Sequence, residues 1–409
     1  MAVITDNRTV GASFLAYQFV KDALAMQLQA KHLEQQYSGL DWMVVMQVAG
    51  DNLVTPLLCT ALHQAALMPL VPDEPAAALR WIMRANAERN EELLASWQRL
   101  SDILKSAGVA HLPLKGTTLL LEGVYPKLER IVSDIDVYVP PDQIPDALAA
   151  MSDTGYLQIS NVNDPKQLFS DIDYAPLQPT EHRNNSLIAG YQLPGIIESG
   201  GNILIELHYC IVEGNKPLSD YLNNSASLLS KRSTDAEGYD TWTATQTRET
   251  RLFNLAHTFY HSHIKDAAYY TGTVDLRHIY DIAAMAQQDA KVTHWAIQQL
   301  RVMLEGTVTE PLLASFVNLV SSETAQSIKV WSDLTENERK GIERFNRLAR
   351  AGQRYVRWLR FKAECRRQLR FLITPGWLRS LYGDRKWFEI PISLIRYAVN
   401  RAYRRARRK

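Results

Sequence analysis

Cysteine is scarce: Cys59, Cys210 and Cys365 are the only three in 409 residues, odd in number and far apart. No CxxC occurs, which excludes a disulfide-built fold and a zinc knuckle, and points to reduced thiols in a cytoplasmic protein. No apolar run approaches the ~20 residues of a membrane-spanning helix. The opening Met1-Ala-Val-Ile-Thr-Asp-Asn-Arg lacks the charged-then-apolar pattern of a signal peptide. There is no internal repeat and no His-Glu-x-x-His. His257 and His261 are spaced i, i+4 and His263 follows, yet without a further ligand at zinc spacing they read as part of a helical region.

What the chain does have is apolar content, 46% against 22% charged residues, enough to bury a core over two or three domains. The formal charge of +1 hides an asymmetry. From Arg350 to Lys409 eighteen Lys or Arg stand against Glu364, Asp384 and Glu389, a net of +15, so the first 349 residues carry −14. In residues 377–409 these arginines and lysines interleave with Trp377, Trp387, Phe388, Ile392 and Tyr397. Such a segment suits peripheral attachment to an anionic membrane, on its inner face, or to nucleic acid phosphates. Packing of its apolar side on the acidic body is the third alternative.

Apolar residues at helical spacing predict helices over 12–36, 41–70 and about 76–107. The last has a polar side holding Arg84, Asn86, Arg89 and Asn90; it reads as a packing helix, with Arg89 or Asn90 able to reach a cleft. Strands are expected at 109–114, 132–139 and 203–211, with helices at 117–124 and 143–152 between the first two and after the second. Residues 157–200 are polar, with scattered Pro, Asn and Asp, and read as irregular hairpins or an insertion over the cleft; 215–247 is rich in Ser, Thr and Asn and predicts a surface loop. Helices resume over 248–285, 293–320 and from Thr335; in the first of these Arg277 and Asp281 are spaced to pair with each other, the alternative being that they and Asp275 face the site. The pattern divides into an N-terminal helical region (1–107), an α/β core (108–214), a helical domain (215–335) and a basic amphipathic helical tail (336–409).

Chemistry concentrates between Leu114 and Val139. Asp134 and Asp136 are two apart in a β-branched segment, so both carboxylates project from one strand face. Adjacent carboxylates repel unless a cation lies between them, and Mg²⁺ takes such oxygens together with substrate phosphates. Upstream, Lys115-Gly116 closes the preceding run, at a turn where glycine lets backbone amides approach a phosphate. Asp171-Ile-Asp173 repeats the Asp-x-Asp spacing without that context.

Leu114-Lys115-Gly116, Arg130 to Asp136 and the later segment Ile203-Leu-Ile-Glu206-Leu-His208 together resemble the nucleotidyltransferases of the DNA polymerase β superfamily. More narrowly the chain resembles an uncharacterised bacterial branch of them, over roughly residues 45–290. The turn here is Gly116-Thr117 preceded by lysine, where the superfamily has Gly-Ser or Gly-Gly, and the later carboxylate is Glu206, where many members have Asp. The resemblance implies an α+β fold: a polymerase-β-like core with a small mixed sheet, flanked by N- and C-terminal helical segments. It implies a metal-dependent enzyme that transfers a nucleoside monophosphate from an NTP, ATP among the candidates, to an acceptor hydroxyl on a protein, RNA, sugar or metabolite. Asp134, Asp136 and Glu206 would be catalytic and hold Mg²⁺ or Mn²⁺. Lys115, Gly116 and Thr117 would contact the nucleotide, and Arg130 would do so or pair with an aspartate; His208, on the same strand face as Glu206, would support it or serve as a packing or hydrogen-bonding histidine. The alternative is a catalytically silent protein of the same fold that senses a nucleotide or binds nucleic acid.

Overall fold

The computed structural model describes residues 7–25, 35–126, 128–159, 174–176, 196–198, 201, 203–209, 220–226, 244–260, 275–307, 309–324 and 333–349. Asp171, Asp173, His261, His263 and the basic segment 377–409 lie outside them.

Among the described residues four helices come first: α1 (Asn7–Leu24), α2 (Trp42–Asp51), α3 (Thr55–Gln64) and the long α4 (Asp73–Ser106). The Asp41 carboxylate caps α2 by accepting from the amides of Met43 and Val44 at 3.0 and 3.3 Å. The apolar stretch 41–70 forms two helices and a 3-10 turn at Met68–Leu70, because the chain breaks at Leu53, where φ is +55°. In α4 the stripe Leu79, Leu93, Trp97, Leu100 and Leu104 is buried, each large side chain contributing about 1.5–3 kcal/mol.

The sheet follows: β1 (Leu112–Pro113), helix α5 (Lys115–Leu121), β2 (Asp134–Tyr138), helix α6 (Ile144–Asp153), β3 (Tyr156–Ile159), β4 (Tyr174–Pro176), β5 (Ile196–Glu198) and β6 (Leu204–His208). Its order is β1-β2-β6-β5-β3-β4. Strands β2 and β6 run parallel and every other pairing is antiparallel, so this is a small mixed sheet. The expected strand 109–114 shrinks to two residues because its first groups bond elsewhere. The amide of Ala110 donates to Gln143 Oε1 at 2.7 Å, and Val109 O meets His111 Nδ1 at 2.8 Å. The polar stretch 157–200 contributes β4 and β5, and residues 220–226 are helical where a loop was expected.

Five helices complete the described chain: α7 (Ala244–Phe259), α8 (Leu276–Gln288), α9 (Ala290–Leu304), α10 (Glu310–Thr324) and α11 (Glu336–Ala349). One apolar cluster joins Trp97 and Leu100 of α4, Ile135, Val137, Ile205 and Leu207 of the sheet, and Phe253, Phe316 and Phe345 of the C-terminal helices. A second cluster joins Phe19, Val45 and Leu58 to Leu276, Ile279 and Tyr280. Helix α8 therefore belongs to both, with Ile282 and Met285 turned to the first. The architecture is α+β, a small mixed sheet between helical segments. Among the described residues no helix is long and apolar enough to cross a membrane.

Candidate active site

Strands β2 and β6 build the site. Their register sets Asp136 directly beside Glu206, Asp134 beside Leu204 and Tyr138 beside His208. Ile135, Val137, Ile205 and Leu207 fill the opposite face with no exposure, which fixes both strands and pushes the carboxylates to the other side. Carboxylate oxygens of Asp136 and Glu206 and a ring nitrogen of His208 all lie within 4.8 Å of one another.

Asp136 is the centre of the charge network. Lys115 donates to its Oδ1 at 2.6 Å, and His208 Nε2 meets the same oxygen at 2.7 Å. Burial alone would push the Asp136 carboxyl up, but the Lys115 ammonium and the His208 hydrogen bond outweigh it and hold it well below the usual carboxylate range. His208 is itself buried, and burial holds it down as a neutral imidazole despite Asp136, so Nε2–H is the donor. Glu206 Oε2 lies 3.8 Å from the same nitrogen, with its side chain one-fifth exposed, at 20%. Burial pulls Lys115 down, yet Asp136, aided by Glu206 and Asp134, leaves it raised and charged. Asp134 goes the other way: burial and then the Asp136 charge push it up, while Ser133 Oγ donates to its Oδ1 at 2.9 Å.

Lys115, the first residue of α5, holds this position with φ at +53°, a left-handed conformation uncommon for a side chain of its size. Gly116 has an ordinary φ. A Cβ there would press into Arg130 Nη1 and the Val132 methyls, so glycine is required by the close approach of Arg130. Thr117 is fully buried, and among the described residues its Oγ1 has no hydrogen-bond partner.

Arg130 is placed inside the protein. Its Nε and Nη2 donate to Asp281 Oδ1 and Oδ2 of α8 at 2.8 and 2.9 Å, and Tyr125 donates its hydroxyl to Oδ1 at 2.8 Å. The Arg130 guanidinium therefore lies against an aspartate across 151 residues of sequence. The i, i+4 pair expected between Arg277 and Asp281 does not form, since Asp281 gives both oxygens to Arg130. Arg277 remains half-buried near Arg130, Asp281, Asp275 and Asp134, and its Nε has no hydrogen-bond partner among the described residues.

The polar side of α4 grips the loop that enters β2. Asn86 and Asn90 donate their amides to Leu128 O at 2.7 and 2.8 Å and to Arg130 O at 3.3 and 2.8 Å. Arg89 Nη2 donates to Ser133 O at 2.9 Å. From the sequence α4 reads as a packing helix with Arg89 or Asn90 able to reach a cleft; both, with Asn86, hold the loop that carries Arg130 into the aspartate strand. The signal was Asn86, Arg89 and Asn90 at i, i+3, i+4 on an otherwise amphipathic helix. Asp281 and Tyr125 were not connected to Arg130, and nothing local in the sequence connects them.

The group that the structure brings together is Asp136, Glu206 and His208, two carboxylates and one imidazole, which suits a divalent cation; Asp134, expected among the ligands, is not part of that group. The residues present therefore fit such an ion. The family model described as an uncharacterised nucleotidyltransferase matches residues 38–311, two-thirds of the chain and all of this site. No curated protein and no solved structure gives a significant match.

Proposed function

The chain belongs to this family of nucleotidyltransferases, and on that premise we propose that it transfers a nucleoside monophosphate from an NTP to an acceptor hydroxyl, with release of pyrophosphate. The supporting observation is the register that puts Asp136 and Glu206 side by side on parallel strands, two residues from Asp134 and with Lys115 on Asp136. Asp134 and Asp136 would hold Mg²⁺ or Mn²⁺ on the triphosphate, and Glu206 would serve the acceptor side. A divalent cation bound there supplies positive charge to the phosphate oxygens and to the attacking oxygen of an in-line displacement.

The chain's own groups do the rest. Lys115 offers an ammonium at the entrance to α5 that is within reach of a phosphate. Gly116 and Thr117 offer first-turn amides that the helix leaves unbonded. His208 fixes Asp136 by donating Nε2–H, which keeps that carboxylate ionised and aimed at the open face. Arg130, held by Asp281 and the α4 asparagines, sets the path of the loop into β2.

The test is incubation of the full chain with each α-labelled NTP, Mg²⁺ or Mn²⁺ and a cell extract, alongside Asp136→Asn. Label should move to one acceptor fraction and be absent with Asp136→Asn. Equal labelling by both proteins sinks the proposal, and nucleotide binding without any transfer favours a silent sensor.

A further inference from the structure

Helix α5 carries Lys115 and Gly116 at one end and Glu122 just past the other. Its seven residues are too few to hold their own position, since isolated helices need about 12–15. What lies against its two ends therefore decides where Lys115 stands. At the first end Gly116 packs on Arg130, which Asp281 of α8 holds by both oxygens. At the second end the same helix returns: Gln288 Nε2 donates to Glu122 O at 2.6 Å. Asp281 and Gln288 are two turns apart on one face of α8, about 10 Å, and Gly116 to Glu122 covers about 9 Å. Matching spans let one helix brace the other at both ends.

A buried clasp reinforces the Glu122 end. Arg251 of α7 is fully buried; its Nη2 donates to Gln288 Oε1 at 2.7 Å and to Glu122 Oε2 at 3.4 Å, and its Nη1 donates to Met285 O at 2.7 Å. Thr250 donates its hydroxyl to Glu122 Oε1. The Glu122 side chain is buried as well, so both partners of this ion pair are out of water. A buried ion pair adds little stability over an apolar pair of the same volume. Its directed bonds instead select one arrangement of α5, α7 and α8.

We propose that Glu122, Gln288 and Arg251 are positioning residues, which fix the far end of α5 on α8 and so set Lys115 against Asp136. Their effect on turnover rests on the nucleotidyl-transfer reading; the bracing of α5 does not. Released at Glu122, α5 is left with the attachments of its first turns: Gly116 on Arg130, Lys115 on Asp136 and Thr118 Oγ1 on Pro113 O. The helix can then pivot there, which turns Lys115 relative to Asp136. The left-handed backbone of Lys115 has more relaxed conformations to fall into once the brace is gone.

Gln288 lies at the protein surface, so Gln288→Met in the full chain removes both of its bonds without opening the core. Trp295→Leu is the control, because the stacking of the Arg248 guanidinium on the Trp295 ring joins α7 to α9 and not to α5. Hydrogen exchange read by mass spectrometry should be about ten-fold faster at the amides of 115–121 in Gln288→Met, the weight of one hydrogen bond, with no such rise in Trp295→Leu. The amide resonance of Gly116 should shift in glycine-labelled Gln288→Met and stay in place in the control. Label transfer at saturating NTP should fall about ten-fold or more in Gln288→Met alone. Unchanged exchange at 115–121 overturns the inference, as does an equal rise in Trp295→Leu, which would be general loosening. Faster exchange with normal turnover removes the positioning role and leaves the transfer reading intact. Wild type that transfers no label removes that reading, and exchange with the Gly116 resonance then decides by itself whether α5 is braced.

Discussion

On the carboxylate face of β2, Asp136 lies against Lys115 and His208 while Asp134 has Ser133 and the Asp136 charge beside it. The same substitution should therefore act in opposite directions on stability. The folded pKa of Asp136 is below its unfolded value, so its contribution exists above the ordinary carboxylate range and is lost as pH falls through that range. Asp136→Asn should abolish transfer and cost about 1–3 kcal/mol at neutral pH, because it weakens charge-assisted bonds from two buried donors. The folded pKa of Asp134 is raised, so its ionisation opposes folding as pH rises through that pKa. Asp134→Asn should also abolish transfer, yet leave stability unchanged or higher at pH 7. Urea titrations of the two variants without divalent cation decide this; equal destabilisation would contradict the assigned environments. Glu206→Gln should lower turnover far more than it weakens binding of the magnesium–NTP complex, as calorimetry beside kinetics would show. Lost nucleotide affinity with normal turnover at saturation would remove Glu206 from the acceptor side.

The α5 entrance and α8 make contact through one arginine, and their substitutions should be coupled. Gly116→Ala drives a methyl into the Arg130 guanidinium and should cost about 1–3 kcal/mol. With Arg130→Met in place, much of that cost should vanish, so the double mutant falls short of the sum. Additive losses in a double-mutant cycle would show that the two residues do not press on each other. Asp281→Asn should cost roughly 3–5 kcal/mol by leaving Arg130 buried beside a neutral amide. Burial would raise the Asp281 carboxyl, but Arg130 outweighs it and holds it below the usual range. That stability is present at neutral pH and lost in acid, so the variant's deficit should shrink as pH drops below the carboxylate range.

The aspartate strand, the Lys-Gly turn and the Glu206 strand were legible because period-two alternation and punctuating turns are local signals. The short β1 was overestimated because Ala110 bonds to the Gln143 side chain, a contact that strand periodicity does not encode. Asp281 was invisible as Arg130's partner for the same reason at longer range. Helical spacing offered Arg277 as its neighbour, and only the packing of α8 on the core reveals the competitor that wins.

Across the whole molecule, the sheet and the C-terminal helices share one apolar cluster, in which Val137 and Leu207 lie with Phe253 and Phe316. A fragment of residues 108–214 should therefore fail to fold alone, giving collapsed dispersion in amide NMR spectra. Well-dispersed spectra from that fragment would show that the α/β core needs no helical support. Arg130 carries a further consequence for synthesis on the ribosome. Gly116, which lies against its guanidinium, is made early, whereas Asp281 emerges 151 positions later. A nascent chain that ends before α8 carries a cation it cannot neutralise at the junction of α5 and β2. That junction should stay open to proteases until α8 arrives, so the proposed catalytic face is completed only after most of the chain has been translated.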